Sequence, residues 1–103
     1  MPQVTHINAA QLFELKQQNP DSQLVDIRDA ESYAAGHTLD AQRLHNENIA
    51  QFIAEADLDA PLVVICYHGI SSVSAGQYLI EQGFEEVYSL EGGYQAWAQL
   101  LSS

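Results

Sequence analysis

The sequence predicts an α/β fold, a parallel sheet covered by helices on both faces. Strand-like and helix-like segments alternate along the whole chain, which is the pattern of βαβ units. The clearest strand, Leu62 to Ile65, is apolar at every position, as a strand buried on both faces must be. A length of 103 residues supports one hydrophobic core and is too short for two. Residues 1–103 are therefore expected to form a single domain.

In chain order, Val4 to Ile7 predicts a short strand. Asn8 then caps a helix, with Gln11 as its capping-box partner and Leu12, Phe13 and Leu15 as its apolar side. Asn19, Pro20 and Asp21 break that helix. Leu24 to Ile27 predicts the second strand, and Asp29 caps a short helical turn through Tyr33 that Gly36 ends. A weak strand is expected around Gln42 to Leu44. Asn46 is expected to start a helix whose Ile49, Phe52, Ile53 and Ala56 recur at helical spacing. Pro61 precedes the main strand, where its missing N–H is tolerated. After Ile65 comes Cys66, then a short loop with Gly69, then a helical segment with Ser71 and Ser72 as N-cap candidates, closed by Gly83. Glu86 to Leu90 predicts another strand. Gly92 and Gly93 make a turn, and Tyr94, Trp97, Ala98 and Leu101 mark the inner face of a last helix, with Trp97 expected as a core anchor.

Charge and cysteine usage narrow the function. Fourteen acidic residues against Lys16, Arg28 and Arg43 give a formal net charge of −11, which argues against nucleic acid as a partner. The acids are scattered, as on a solvated surface. A single cysteine excludes an internal disulfide and a CxxC dithiol, and suits a reducing compartment. No apolar run reaches transmembrane length, and MPQVTHINAA lacks the basic and apolar regions of a signal peptide. No membrane association and a cytoplasmic location are expected.

That cysteine sits where it can be activated. Strand, Cys66, loop, helix is the layout that surrounds an anionic sulfur with backbone N–H groups and the positive end of a helix dipole. Such surroundings lower a thiol pKa from its usual value of about 8.5, and stabilise a thiolate, a persulfide or a bound oxyanion. The alternative is a small buried hydrophobe that ends a core strand. In open α/β sheets ligands bind beyond the strand C-termini, which is where Cys66 lies.

Three segments in this order resemble the rhodanese (sulfurtransferase) family. LVDIRDAESYAAGH matches its D-x-R … G-H signature through Asp26, Arg28, Glu31, Gly36 and His37; CYHGISS matches its active-site loop; EGGYQAW matches its G-G-x-x-x-W element through Gly92, Gly93 and Trp97. Within the family the chain is most similar to the single-domain bacterial thiosulfate sulfurtransferases. The resemblance implies a five-stranded, mostly parallel sheet with helices on both faces, and catalysis at Cys66, which would cycle between thiolate and persulfide without a cofactor. The loop from Tyr67 through His68, Gly69, Ile70 and Ser71 to Ser72 would bind the substrate through its N–H groups and side chains. The implied partners are a small anionic sulfur donor and, as acceptor, cyanide or a dithiol protein such as thioredoxin. A monomer or weak homodimer is expected. A persulfide relay, and a non-enzymatic module that binds a protein partner, are the alternatives.

The loop departs from the family at one point. Val73 stands where a lysine is expected in the thiosulfate-using members, and His68 is the one basic side chain between Cys66 and Gly83. His68 either holds positive charge near a dianion in mildly acidic solution or is an exposed imidazole bonded to backbone or water. Asp26, Arg28 and His37 are expected to be structural, with Glu31 as a reachable ion-pair partner for Arg28. No metal site is expected, because Cys66 and His68 are too close for the usual zinc spacings. A phosphatase of the C-x5-R type is disfavoured: the sixth residue beyond Cys66 is Ser72, and no arginine follows Arg43.

Overall fold

The structure, a computed structural model, describes residues 3–102, with side chains through residue 100. The described strands are β1 (Thr5–Ile7), β2 (Gln23–Asp26), β3 (Gln42–Arg43), β4 (Leu62–Ile65) and β5 (Val87–Leu90). The helices are α1 (Ala9–Gln18), α2 (Ala30–Ala35), α3 (Ile49–Glu55), α4 (Ser71–Glu81) and α5 (Gly93–Ser102). The strands form one sheet in the order β1-β5-β4-β2-β3, and every neighbouring pair is parallel. The α/β fold with a five-stranded parallel sheet is thus as expected, with strand ends moved by a residue or so.

The topology fixes where a site can form. From β2 the chain steps outward to β3, then returns across β2 to β4 and goes on to β5. Right-handed crossovers in opposite directions put their helices on opposite faces. The core accordingly has two layers. Leu24, Val63, Ile65 and Leu90 pack with Leu12 of α1 and Trp97 of α5. Val25, Leu62, Val64 and Val87 pack with Leu79 of α4, backed by Ile49, Phe52 and Ile53 of α3. Alternate residues of β4 therefore serve opposite layers, and all four are fully buried. The direction of winding reverses between β2 and β4, which leaves a crevice at their C-terminal ends.

Local chemistry explains the helix ends. The capping box of α1 forms as expected: Asn8 Oδ1 accepts the Gln11 N–H and Gln11 Oε1 accepts the Asn8 N–H, both at 2.8 Å. Asp29 caps α2 by accepting the Ser32 N–H at 3.0 Å. Three expectations need correction. Phe13 is half exposed, because its position turns away from the stripe that Leu12 leads. Asn46 does not start α3; the N-cap is Asn48, whose side chain is instead drawn back to the His45 N–H and the Arg43 carbonyl. Ser71 and Ser72 are not caps. They are the first two residues of α4, which follows Ile70 with no side-chain cap. α4 ends at Glu81 with Gln82 as its C-cap, and Gly83 takes the left-handed conformation that follows many helix ends. The Leu101 side chain, placed on the inner face of α5, lies outside the described residues.

Candidate active site

Cys66 follows β4 at the crevice and is 3% exposed. Its Sγ accepts the Gly69 N–H at 3.1 Å and the Ser72 N–H at 3.3 Å. The Ser72 hydroxyl lies 3.2 Å from the same sulfur. The first N–H groups of a helix have no partner within it, and the N-cap of α4, Ile70, makes no side-chain cap bond. The sulfur takes up that duty, which is why neither serine needs to. Burial pushes the Cys66 thiol pKa up, but the Ser72 hydroxyl and the Ser72, Gly69 and His68 N–H groups outweigh it and hold the thiol below its ordinary value. An anion is thus held without a formal positive charge, by dipoles that the backbone fixes in place.

The glycines build this loop. Gly69 has φ 85°, and a Cβ there would come within 2.9 Å of the Leu90 carbonyl oxygen and closer to the Gly92 nitrogen. Gly93 has φ 61°, and its Cβ would meet the His68 nitrogen at 2.6 Å and the Cys66 carbonyl oxygen at shorter range. The first turn of α5 is pressed against the back of the cysteine loop. Tyr94 N–H donates to the Cys66 carbonyl at 2.8 Å and Gln95 N–H to the Tyr67 carbonyl at 3.2 Å. Because these bonds hold the loop carbonyls toward α5, the loop N–H groups are left to face the sulfur.

The other predicted residues divide cleanly. Tyr67 and His68 are exposed, and the Tyr67 hydroxyl oxygen accepts the Asp29 N–H at 3.3 Å, tying the loop to the N-cap of α2. Ile70 is 77% exposed; Ser71 is exposed and Ser72 fully buried. Asp26 and Arg28 form a buried ion pair at 2.7 Å, and the Arg28 Nε also reaches both carboxylate oxygens. Arg28 Nη2 donates to the Gly36 carbonyl at 2.6 Å, and its guanidinium lies 4.0 Å from the centre of the Tyr94 ring. Glu31 is exposed, and the expectation that it pairs with Arg28 is corrected: Asp26, at the end of β2, meets the guanidinium edge-on, while Glu31 faces out from α2. His37 is exposed and stacks on Tyr33 at 4.5 Å. Trp97 lies in the core.

One residue beside the sulfur was missed by the sequence reading. Ser89 of β5 is fully buried, with its Oγ 2.6 Å from Ser72 Oγ. The signal was a hydroxyl in the VYSL strand, two positions from Val87 and so on the same buried face.

A parallel five-stranded sheet with a lone cysteine cradled after its central strand defines a class, the rhodanese-like domains. Residues 9–100 match the family model of the Rhodanese-like domain, and the chain belongs to that family. It is 53% identical over 97 residues to the thiosulfate sulfurtransferase GlpE of Shewanella oneidensis, across 94% of this chain and 95% of that one. With the thiosulfate sulfurtransferase GlpE of Pseudoalteromonas translucida it shares 50% over 97 residues, 94% of this chain and 91% of the other. Among solved structures it is similar to the polysulfide-sulfur transferase homodimer of Wolinella succinogenes, with a TM-score of 0.77 and 27% identity over 94% of this chain and 74% of that chain.

Proposed function

We propose that this protein is a thiosulfate sulfurtransferase that carries sulfur as a persulfide on Cys66, with residues 1–103 acting as one rhodanese domain. The observation that supports this most directly is the sulfur itself, ringed by the Gly69 and Ser72 N–H groups and the Ser72 hydroxyl. In the first half-reaction the thiolate attacks the outer sulfur of thiosulfate. The S–S bond breaks, its electron pair leaves with sulfite, and Cys66 becomes a persulfide anion. In the second, cyanide attacks the outer persulfide sulfur, thiocyanate departs, and the thiolate returns; a protein dithiol would take the same sulfur. Each state of Cys66 is anionic, so one set of N–H donors serves both halves of a ping-pong cycle. Tyr67 and Ile70 of the loop itself present exposed apolar surface, which favours a protein dithiol as acceptor.

The electrostatics support local rather than global attraction. With a net charge of −11, the mean field repels a dianion, so binding must come from the loop donors and the N-terminus of α4. Among the described residues no helix is long and apolar enough to cross a membrane; the lone cysteine favours a reducing cytoplasm.

Intact mass after incubation with thiosulfate tests the reading. The expected result is a gain of one sulfur atom that cyanide removes and that Cys66→Ser lacks. A protein that gains no sulfur from thiosulfate, from cysteine persulfide or from 3-mercaptopyruvate would overturn it.

A further inference from the structure

We propose that Ser89 is a positioning residue for the Cys66 sulfur: its hydroxyl donates to Ser72 Oγ and so commits the Ser72 proton to the sulfur when the sulfur is an anion. The geometry leaves little choice. Ser72 Oγ is fully buried, 3.2 Å from Cys66 Sγ and 2.6 Å from Ser89 Oγ. A hydroxyl has one proton to give. When Cys66 is a neutral thiol, its S–H donates to Ser72 Oγ and Ser72 donates onward to Ser89. When the sulfur ionises, Ser72 turns its proton to the sulfur, and its oxygen then needs a donor, which Ser89 supplies. The short chain of hydroxyls therefore reverses direction with the charge on the sulfur. Each bond in such a chain polarises the next, so Ser89 strengthens a bond it does not itself make.

Ser89 reaches this place through the sheet rather than the loop. It pairs in register with Val64 of β4, two residues before Cys66. The titratable side chains on the segments packed around the sulfur are Tyr67 and His68 in its own loop, Asp26 at the end of β2 with Arg28 and Asp29 beyond it, Tyr78 and Glu81 on α4, Tyr88 on β5, Glu91 after it and Tyr94 on α5. None of them hydrogen-bonds Sγ, whose partners are Gly69 and Ser72. The Ser72–Ser89 pair is thus the side-chain route by which the protein adjusts this sulfur.

The test is the pH dependence of alkylation by iodoacetamide. With a single cysteine in the chain, the profile reads Cys66 alone. It needs no sulfur donor, so its result is independent of whether the protein transfers sulfur. Ser89→Ala is expected to move the profile to higher pH by about half to one unit, the size to which one net hydrogen bond converts. Ser89→Thr, which keeps the hydroxyl, is expected to restore it. In a Ser72→Ala background, adding Ser89→Ala should move the profile no further. That background keeps the proposal testable even if threonine is too large for the site. A Ser89→Ala profile that overlays wild type in a folded protein would overturn the proposal. So would an equal shift with and without Ser72, since Ser89 would then act by another route.

Discussion

Two buried polar clusters lie side by side at the C-terminal ends of β2 and β4, and they hold charge in opposite ways. At β2, Asp26 and Arg28 neutralise each other with formal charges; the Gly36 carbonyl and the Tyr94 ring occupy other faces of the guanidinium. At β4, the Cys66 sulfur is held by N–H groups and a hydroxyl, and among the described residues no formal cation hydrogen-bonds it. The first cluster is closed: each group already has its counter-charge, and no net charge is left for a ligand. The second is an array of oriented dipoles with one anion in it, and the same array can accept another anionic sulfur in turn. Charge pairing suits a permanent joint, whereas fixed dipoles suit a group whose bonding must change.

The sharpest way to break the comparison is to remove half of the closed cluster. Asp26→Ala would leave Arg28, 4% exposed, without its counter-charge. Breaking a buried pair in this way costs about 3–5 kcal/mol. For a domain of this size the thermal midpoint should fall by roughly 15 °C or more. Replacing both residues with apolar ones, as in Asp26→Leu with Arg28→Met, should cost less than the single change. The molecules that remain folded at low temperature should still load sulfur on Cys66. Thermal unfolding and intact mass on the same samples separate the two effects. Loss of loading in well-folded Asp26→Ala would show that the two clusters are not independent.

The open cluster should break through its backbone instead. Gly93→Ala forces an L-residue into the left-handed region, at about 1–2 kcal/mol, and drives a methyl group into the Cys66 and His68 backbone. The loop must move, and with it the N–H groups aimed at the sulfur. The expected outcome is a modest fall in thermal midpoint with a loss of sulfur loading of tenfold or more. Comparable rates in the variant and wild type would mean that the contact between α5 and the loop does not set the donor array.

How much of this was legible in the sequence follows from the range of each interaction. The capping box from Asn8 to Gln11 spans three residues and was read correctly. So were the four apolar positions of β4 and the placement of Cys66 beyond them, because pattern and position suffice there. The errors arose where a near neighbour competed with one placed by the fold. Glu31 is three residues from Arg28, yet Asp26 takes the guanidinium because the end of β2 fixes it edge-on. Ser71 and Ser72 have the composition of caps, but the sulfur already meets the Ser72 N–H. Ser89 lies 17 residues from Ser72. Its role depends on β5 lying beside β4, which the alternation of elements does not specify. Gly92 and Gly93 were read as a turn. Their close approach to the cysteine loop depends on how α5 leaves β5.

The smallest expected effect adds to the open cluster the formal charge it does without. Val73 follows Ser72 in the first turn of α4 and is partly buried. A lysine there could extend its ammonium toward the mouth of the loop while its stem covers the surface that valine covers now. The first turn of a helix is an unfavourable place for a cation, by about 0.3–1 kcal/mol, so Val73→Lys should lower stability slightly. A bound dianion would reverse that sign locally, and the thiosulfate KM should fall severalfold. The gain should shrink as salt is raised, because an exposed charge is screened within about 10 Å at 0.1 M. kcat should change little if the lysine holds thiosulfate and the departing sulfite equally. Cys66 alkylation should also quicken a little at neutral pH, since a nearby cation favours the thiolate. Steady-state kinetics at two salt concentrations measure the KM and its salt dependence, and iodoacetamide alkylation measures the effect on the thiolate. An unchanged KM at low salt would mean that the oriented N–H groups of the loop already supply the attraction a dianion needs, and that a formal charge belongs to the closed cluster alone.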